Sequence, residues 1–489
     1  MINIIAGRRE EKAELLDVFN SGKAEFVTVY GRRRIGKTFL IEEFFKSKPC
    51  HFFHVTGVQD GTLSEQLNEF GKSIGETFYQ GASIEKSASW MKAFEELTKA
   101  LNHLSGNRKI ILFLDELPWL CTKKSRLLQA LDHYWNRRWK NDPRIKLIIC
   151  GSSASWIIKK IIRNKGGLHN RTTREILLRP FNLSETAQFF KKTGLDLNHE
   201  QITQIYMFCG GIPFYLSHIR KGQSAAQMID KLCFRENGIL YSEFDKVFDS
   251  LFENAPVYKE LIRIIADKRS GVDRAYIESK SQFLSMGGTL TEKLEDLEST
   301  GFIKSFIPLG NKRQGAYYRV TDEYCYFYLK WIEPTKGSFI AEERNRKFWS
   351  EKIGTPPYYN WMGYAFESLC YKHITEIKNA LGISGSAISG AWKYTPRSEN
   401  SGAGTQIDLL FERDDGVTTV CEIKYSKDAF LIDQDYAENL KQKINIYKEK
   451  TRTKNQIFLA FISATGLKEN KYFHELVTGV VVLEDLFQT

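Results

Sequence analysis

At 489 residues the chain is too long for one hydrophobic core of ordinary size and divides into roughly two to four domains. Its 42% hydrophobic and 26% charged residues exclude a disordered chain, and no run reaches the ~18 apolar residues of a membrane span. The formal charge of +11 favours a polyanionic partner such as nucleic acid or an acidic membrane surface, unless the basic residues are a spread-out solvated surface. Eight cysteines without a Cys-x-x-Cys pair read as buried thiols, and nine histidines show no ligand spacing. Gly7, Arg8 and Arg9 interrupt the N-terminus before a signal-peptide core forms, so the expected compartment is the cytoplasm.

From Ile4 to about Ile219, short β-branched or aromatic runs alternate with longer amphipathic ones, as in βαβ units around a parallel sheet. The predicted strands are Phe26–Tyr30, Phe52–Thr56, Ile110–Leu114, Ile145–Cys150 and Glu175–Leu178. Trp90, Phe94, Leu97, Leu101 and Leu104 recur at steps of three and four, which predicts a helix covering that sheet. Beyond Pro180 helical periodicity takes over, with Asn198 and Gln201 spaced as a capping box. From Asn254 to Trp331 the pattern is three helices and a hairpin, Phe302–Pro308 and Ala316–Val320, joined by the basic turn Gly310–Arg313; this order predicts a winged helix. A charged helical stretch, Ala341–Lys352, and the break Gly354-Thr355-Pro356-Pro357 precede a last α/β domain.

The segment Gly31-Arg32-Arg33-Arg34-Ile35-Gly36-Lys37-Thr38 lies between a predicted strand and a helix beginning at Phe39. Glycines there let successive N–H groups curl toward phosphates, and the helix dipole adds to the attraction. Lys37 is expected at the β- and γ-phosphates of ATP, and the Thr38 hydroxyl on Mg²⁺. The apolar run Ile110–Leu114 ends in Asp115, expected to hold the metal, and Glu116, expected to activate water. Ser152 or Ser153, after the next strand, is placed to sense the γ-phosphate, and Arg171 or Arg174 to serve as an arginine finger in its own or a neighbouring subunit.

With Ala6-Gly7-Arg8-Arg9-Glu10-Glu11, the phosphate loop, Leu114-Asp115-Glu116-Leu117-Pro118, Cys150-Gly151-Ser152-Ser153 and Gly210-Gly211-Ile212-Pro213, the chain resembles archaeal-type ATPases of the STAND and AAA-plus group. The resemblance implies that Gly7 and Arg8 and the lid turn ending in Pro213 enclose the adenine of ATP or ADP. The bound nucleotide would then touch the loop residues Gly31 to Phe39 together with Ser152.

In the last domain, Gln406-Ile407-Asp408-Leu409-Leu410-Phe411, a turn at Asp414-Asp415-Gly416 and Thr418–Lys424 predict a hairpin that gathers Asp408, Glu422 and Lys424 at one sheet edge. Glu367 stands on a preceding amphipathic helix. This order is similar to the restriction-endonuclease family with a PD-(D/E)xK core, with Ile407 in place of the proline. It implies that Glu367, Asp408 and Glu422 bind Mg²⁺ or Mn²⁺ and that Lys424 acts with Glu422 in catalysis.

The expected architecture is α/β and multi-domain: a P-loop NTPase parallel sheet over 1–180, a helical lid over 181–235, a winged helix over 236–335 and a restriction-endonuclease-like α/β domain over 340–489. The expected function is MgATP hydrolysis controlling a metal-dependent DNA nuclease, with the helix Thr289–Ser299 in the major groove and Lys304, Lys312 and Arg313 on phosphates; the acidic Glu292, Glu295 and Asp296 argue against tight groove insertion and leave a spacer or protein-binding wing as the alternative. The alternative is a nucleotide-dependent signalling or DNA-binding switch whose nuclease fold is inactive. No membrane partner is expected, and homo-oligomerisation is left open.

Overall fold

The computed structural model describes residues 5–163, 171–282, 288–309, 315–336, 347–394 and 404–488. The chain forms two compact units, Met1–Pro180 with Glu292–Thr300, and Phe181–Thr291 with Gly301–Thr489.

The first unit is built on five strands, β1 (Glu25–Tyr30), β2 (Cys50–Thr56), β3 (Lys109–Asp115), β4 (Ile145–Gly151) and β5 (Arg174–Leu177), all parallel in the order β2-β3-β4-β1-β5. β1, β3 and β4 are buried along almost their whole length, which is why their sequences are continuous apolar runs rather than alternating ones. The helix Trp90–Asn102 starts where the Ser89 hydroxyl accepts the Lys92 N–H. It turns Trp90, Ala93, Phe94, Leu97, Ala100 and Leu101 inward. Each large apolar side chain buried in this way stabilises by about 1.5–3 kcal/mol, and Phe94→Ala would cost about 3–5 kcal/mol.

The second unit opens with Leu183–Lys192 and His199–Cys209. The capping box predicted for Asn198 and Gln201 is present, at 2.8 and 3.2 Å. After the helix Ala255–Ala266 comes a three-stranded sheet of β6 (Val272–Asp273), β7 (Ile303–Phe306) and β8 (Tyr317–Val320) in the order β6-β8-β7. The sequence pattern had only β7 and β8, because two residues after the turn at Gly271 carry no periodicity. The predicted basic turn, with Lys312 and Arg313, lies outside the described residues, as do 341–346 of the charged stretch.

Five further strands, β9 (Ile388–Tyr394), β10 (Thr405–Glu412), β11 (Val417–Lys424), β12 (Gln456–Ser463) and β13 (Val477–Val482), form a second large sheet in the order β13-β12-β11-β10-β9. β9, β10 and β11 pair antiparallel, whereas β11, β12 and β13 run parallel. The helix Pro356–Lys372 leads into this sheet, and His373, just past its end, is buried. The His373 Nε2 accepts the Leu183 N–H at 3.1 Å, and Nδ1 lies 2.9 Å from the Leu369 carbonyl. Both contacts suit a neutral ring with its proton on Nδ1, and burial lowers its pKa to about 4. Six of the cysteines are buried and Cys50 and Cys121 are half-buried, all as free thiols. Among the described residues no helix is long and apolar enough to cross a membrane.

Candidate nucleotide site and a C-terminal carboxylate cluster

The loop after β1 is shaped by its glycines. Gly31 has φ of +143°, and a Cβ there would meet the Leu178 carbonyl oxygen at 2.3 Å. Gly36 has φ of +85° and caps the helix Lys37–Lys46. Arg34 between them is also left-handed, at φ of 72°, a conformation that costs an L-residue of order 1 kcal/mol. The buried Lys37 ammonium donates to the carbonyls of Gly31 and Arg32, at 3.0 Å each, so its charge sits inside the loop. Arg8, itself left-handed and buried, donates to the Ile35 carbonyl at 3.4 Å and pairs with Glu11 at 3.2 Å, tying the Gly7–Arg8 segment to the loop. Ile35 is buried against Gly31, Arg33 lies 6.0 Å from the Trp119 ring, and Phe39 is 45% exposed.

Parallel pairing of β1, β4 and β3 brings their C-terminal ends to one edge, and the acidic pair arrives there. The Thr38 hydroxyl donates to Asp115 Oδ2 at 2.7 Å, and the Glu116 N–H donates to Asp115 Oδ1 at 3.0 Å. Burial raises the Asp115 pKa, but the neighbouring His54, the Thr38 hydroxyl and the Cys150 thiol outweigh it and hold the carboxyl below its ordinary value. Glu116 adopts a left-handed conformation, φ 46°. Its carboxylate accepts the Ser152 N–H at 2.9 Å and the Ser152 hydroxyl at 2.8 Å. Ser152 thus touches the water-activating candidate itself, a contact the sequence spacing did not reveal. The hydroxyl of Thr38 and the carboxylate of Asp115 form a pair of hard oxygens, a donor set that fits Mg²⁺.

β5 places the two candidate arginines along β1. Thr173 N–H bonds to the Phe26 carbonyl and Arg174 pairs with Val27, so Arg171 and Arg174 lie toward the N-terminal end of β1. The loop follows the other end of β1, several strand residues of ~3.3 Å each away. Pro213 belongs to the second unit, where it begins the helix Pro213–Leu216.

On the helix Gly288–Ser299, Glu292 and Asp296 are engaged in ion pairs. Asp296 and Glu292 accept from Lys159 at 2.7 and 3.0 Å, within the first unit. A helix whose carboxylates are engaged there, and which would meet phosphates with like charge, does not suit a major groove.

At the C-terminal sheet, Leu409 stands opposite Cys421, which makes Asp408 and Glu422 neighbours. Glu422 is buried, 3.1 Å from Lys424 and 2.7 Å from Lys443, and also accepts the Tyr436 hydroxyl. Burial pushes its pKa up, yet the two lysines more than compensate and leave it lowered. Asp408, accepting from Gln406 at 3.0 Å, is raised by burial and by the Glu422 charge. Glu367 is raised to about 7 by burial and by Asp408. Tyr371 donates to Glu367 at 3.1 Å, and the Arg319 guanidinium stacks 3.7 Å over the Tyr371 ring. The structure therefore brings Glu367, Asp408, Glu422 and Lys424 together and adds Lys443, Tyr436, Tyr371, Gln406 and Arg319. Tyr436 and Lys443, seven apart on the helix Gln434–Thr451, share a face that helical spacing could have flagged. Among the described residues, however, no three His, Cys, Asp or Glu side chains are grouped to hold a metal ion.

A strand, a glycine-bent loop, a helix and an acidic strand end at the edge of a parallel sheet are the parts of a P-loop NTPase. Residues 6–219 match the model of an ATPase domain found predominantly in Archaea. An uncharacterized protein of Methanocaldococcus jannaschii is 26% identical over 431 residues, 86% of this chain and 87% of that one. An uncharacterized ATP-binding protein of the same organism is 43% identical over 47 residues, 10% of this chain and 80% of its own. Among solved structures, the Walker-type ATPase PABY2304 of Pyrococcus abyssi aligns with a TM-score of 0.46 at 18% identity, over 67% of this chain and 96% of its own.

Proposed function

We propose that the first unit binds MgATP and hydrolyses it. The observation that carries this reading is the 2.7 Å bond between Thr38 and Asp115 beside a loop that already encloses the Lys37 ammonium. Thr38 and Asp115 would hold Mg²⁺, which neutralises phosphate charge when bound. The chain's own residues do the rest. Backbone N–H groups from Gly31 to Thr38 cradle the phosphates, and Lys37 reaches toward the terminal ones. Glu116 orients water and accepts its proton, and Ser152 holds that carboxylate in register. The family match over 6–219 and the ATP-binding Methanocaldococcus relative support the assignment. The test is nucleotide titration and phosphate release by the purified chain with Mg²⁺ and with a chelator. Absence of both ATP and ADP affinity in the presence of Mg²⁺ overturns it.

We further propose that residues 236–335 form a winged helix and 340–489 a PD-(D/E)xK nuclease-like domain under nucleotide control. What supports the second assignment is the mutual electrostatic influence of Glu367, Asp408 and Glu422, with Lys424 at 3.1 Å from Glu422. The carboxylates do not gather as metal ligands, so no step through a metal is derived. That same observation favours a second reading, a nucleotide-dependent DNA-binding or signalling switch whose nuclease fold does not cut. Plasmid cleavage with Mg²⁺ or Mn²⁺ separates the two. A nick made by the parent and lost in Glu422→Ala supports cutting, and equal inertness supports the switch.

A further inference from the structure

We propose that His54 and Glu42 are positioning residues that aim the Asp115 carboxylate, an inference that rests on reading Thr38 and Asp115 as the magnesium ligands. β2 pairs β3 with Thr56 beside Asp115, so His54, two residues earlier on the same strand face, lies along the same sheet edge. Its ring stacks on Phe113 at 4.6 Å and 21°. Nδ1 is 3.2 Å from Glu42, on the helix that follows the phosphate loop, and Nε2 is 3.1 Å from the Thr56 hydroxyl and 3.9 Å from Asp115 Oδ2. The imidazole therefore spans the distance between that helix and the end of β3, with a carboxylate at each nitrogen.

The geometry gives this contact a specific use. Asp115 Oδ1 is committed to the Glu116 N–H, while Oδ2 is shared by Thr38 and His54. A Thr38 hydroxyl that turns to a cation releases Oδ2, and His54 is then the side chain beside that oxygen. Phe113 and Glu42 fix the ring's plane and height, so the carboxylate's direction is set by packing rather than by the metal. Partners of metal ligands held in this way typically change metal affinity by roughly 10- to 100-fold when removed. Glu42 is 46% exposed and acts one step further out, so its removal is expected to cost several-fold.

The experiment measures fluorescent-ADP affinity of the full chain with excess Mg²⁺ and with a chelator, for the parent, His54→Ala, His54→Gln and Glu42→Gln. The expected result for His54→Ala is chelator affinity within about twofold of the parent and a gain on adding Mg²⁺ that is roughly tenfold smaller. His54→Gln, which keeps a donor toward Asp115, recovers part of that gain. A Mg²⁺ gain equal to the parent's in His54→Ala, or an equal loss with and without metal, overturns the positioning role. If His54→Ala fails to fold, His54→Gln and Glu42→Gln decide it, because a parent-like gain in both overturns it as well. A parent without affinity for ADP in either condition instead refutes the ATPase reading beneath it.

Discussion

The phosphate loop and the C-terminal carboxylate cluster both sit at strand ends, yet they are held in opposite ways. The loop is a backbone object, eight consecutive residues bent by Gly31, Arg34 and Gly36 and closed by Lys37 on its own carbonyls. The cluster is a side-chain object, drawn from two helices and three strands, in which burial and like charges raise Glu367 and Asp408 while Lys443 and Lys424 depress Glu422. A site made of backbone is written in contiguous residues, whereas one made of distant side chains depends on every element that brings a charge.

That contrast can be broken or sharpened by experiment. The largest effect is expected for Lys37→Ala, which removes the ammonium enclosed by the loop and should lower phosphate release by 100-fold or more, on the order of 3 kcal/mol of transition-state stabilisation. Unchanged hydrolysis would mean that the loop is not the catalytic centre. If the cluster cuts DNA, Glu422→Gln should reduce metal-dependent nicking by a comparable factor.

The next effect belongs to the second unit as a whole. His373 is neutral in the fold and becomes protonated more readily when unfolded, so its stabilising contribution is complete above about pH 6.5. It is lost as pH falls toward about 4, for a total on the order of 3 kcal/mol. Urea unfolding of the parent and His373→Asn across pH 4–7 checks this; a variant with the parent's pH slope would assign the dependence to other groups.

Gly31→Ala should destabilise by roughly 1–3 kcal/mol and weaken nucleotide binding, because the new Cβ meets a carbonyl oxygen and φ is positive. Calorimetric melting and ADP titration would read both effects. The smallest change is expected for Lys159→Ala, about 0.2–1 kcal/mol, since its ion pairs with Glu292 and Asp296 are partly exposed. A larger loss there, measured by thermal unfolding, would mark the helix Gly288–Ser299 as a structural brace.

Sequence alone determined the phosphate loop, the acidic end of β3, the five strands of the first sheet and the hairpin carrying Asp408 and Glu422. Each is set by local rules: glycine at positive φ, apolar runs for strands buried on both faces, and alternation that places every second residue on one face. Tertiary structure decided which groups meet across hundreds of residues. It seated Ser152 on Glu116 and His54 beside Asp115, and it brought Lys443 and Tyr436 to Glu422. It also carried Arg171 away from the loop and supplied the two-residue strand β6. Such pairings follow from sheet order and helix packing, which no spacing of residues along the chain encodes by itself.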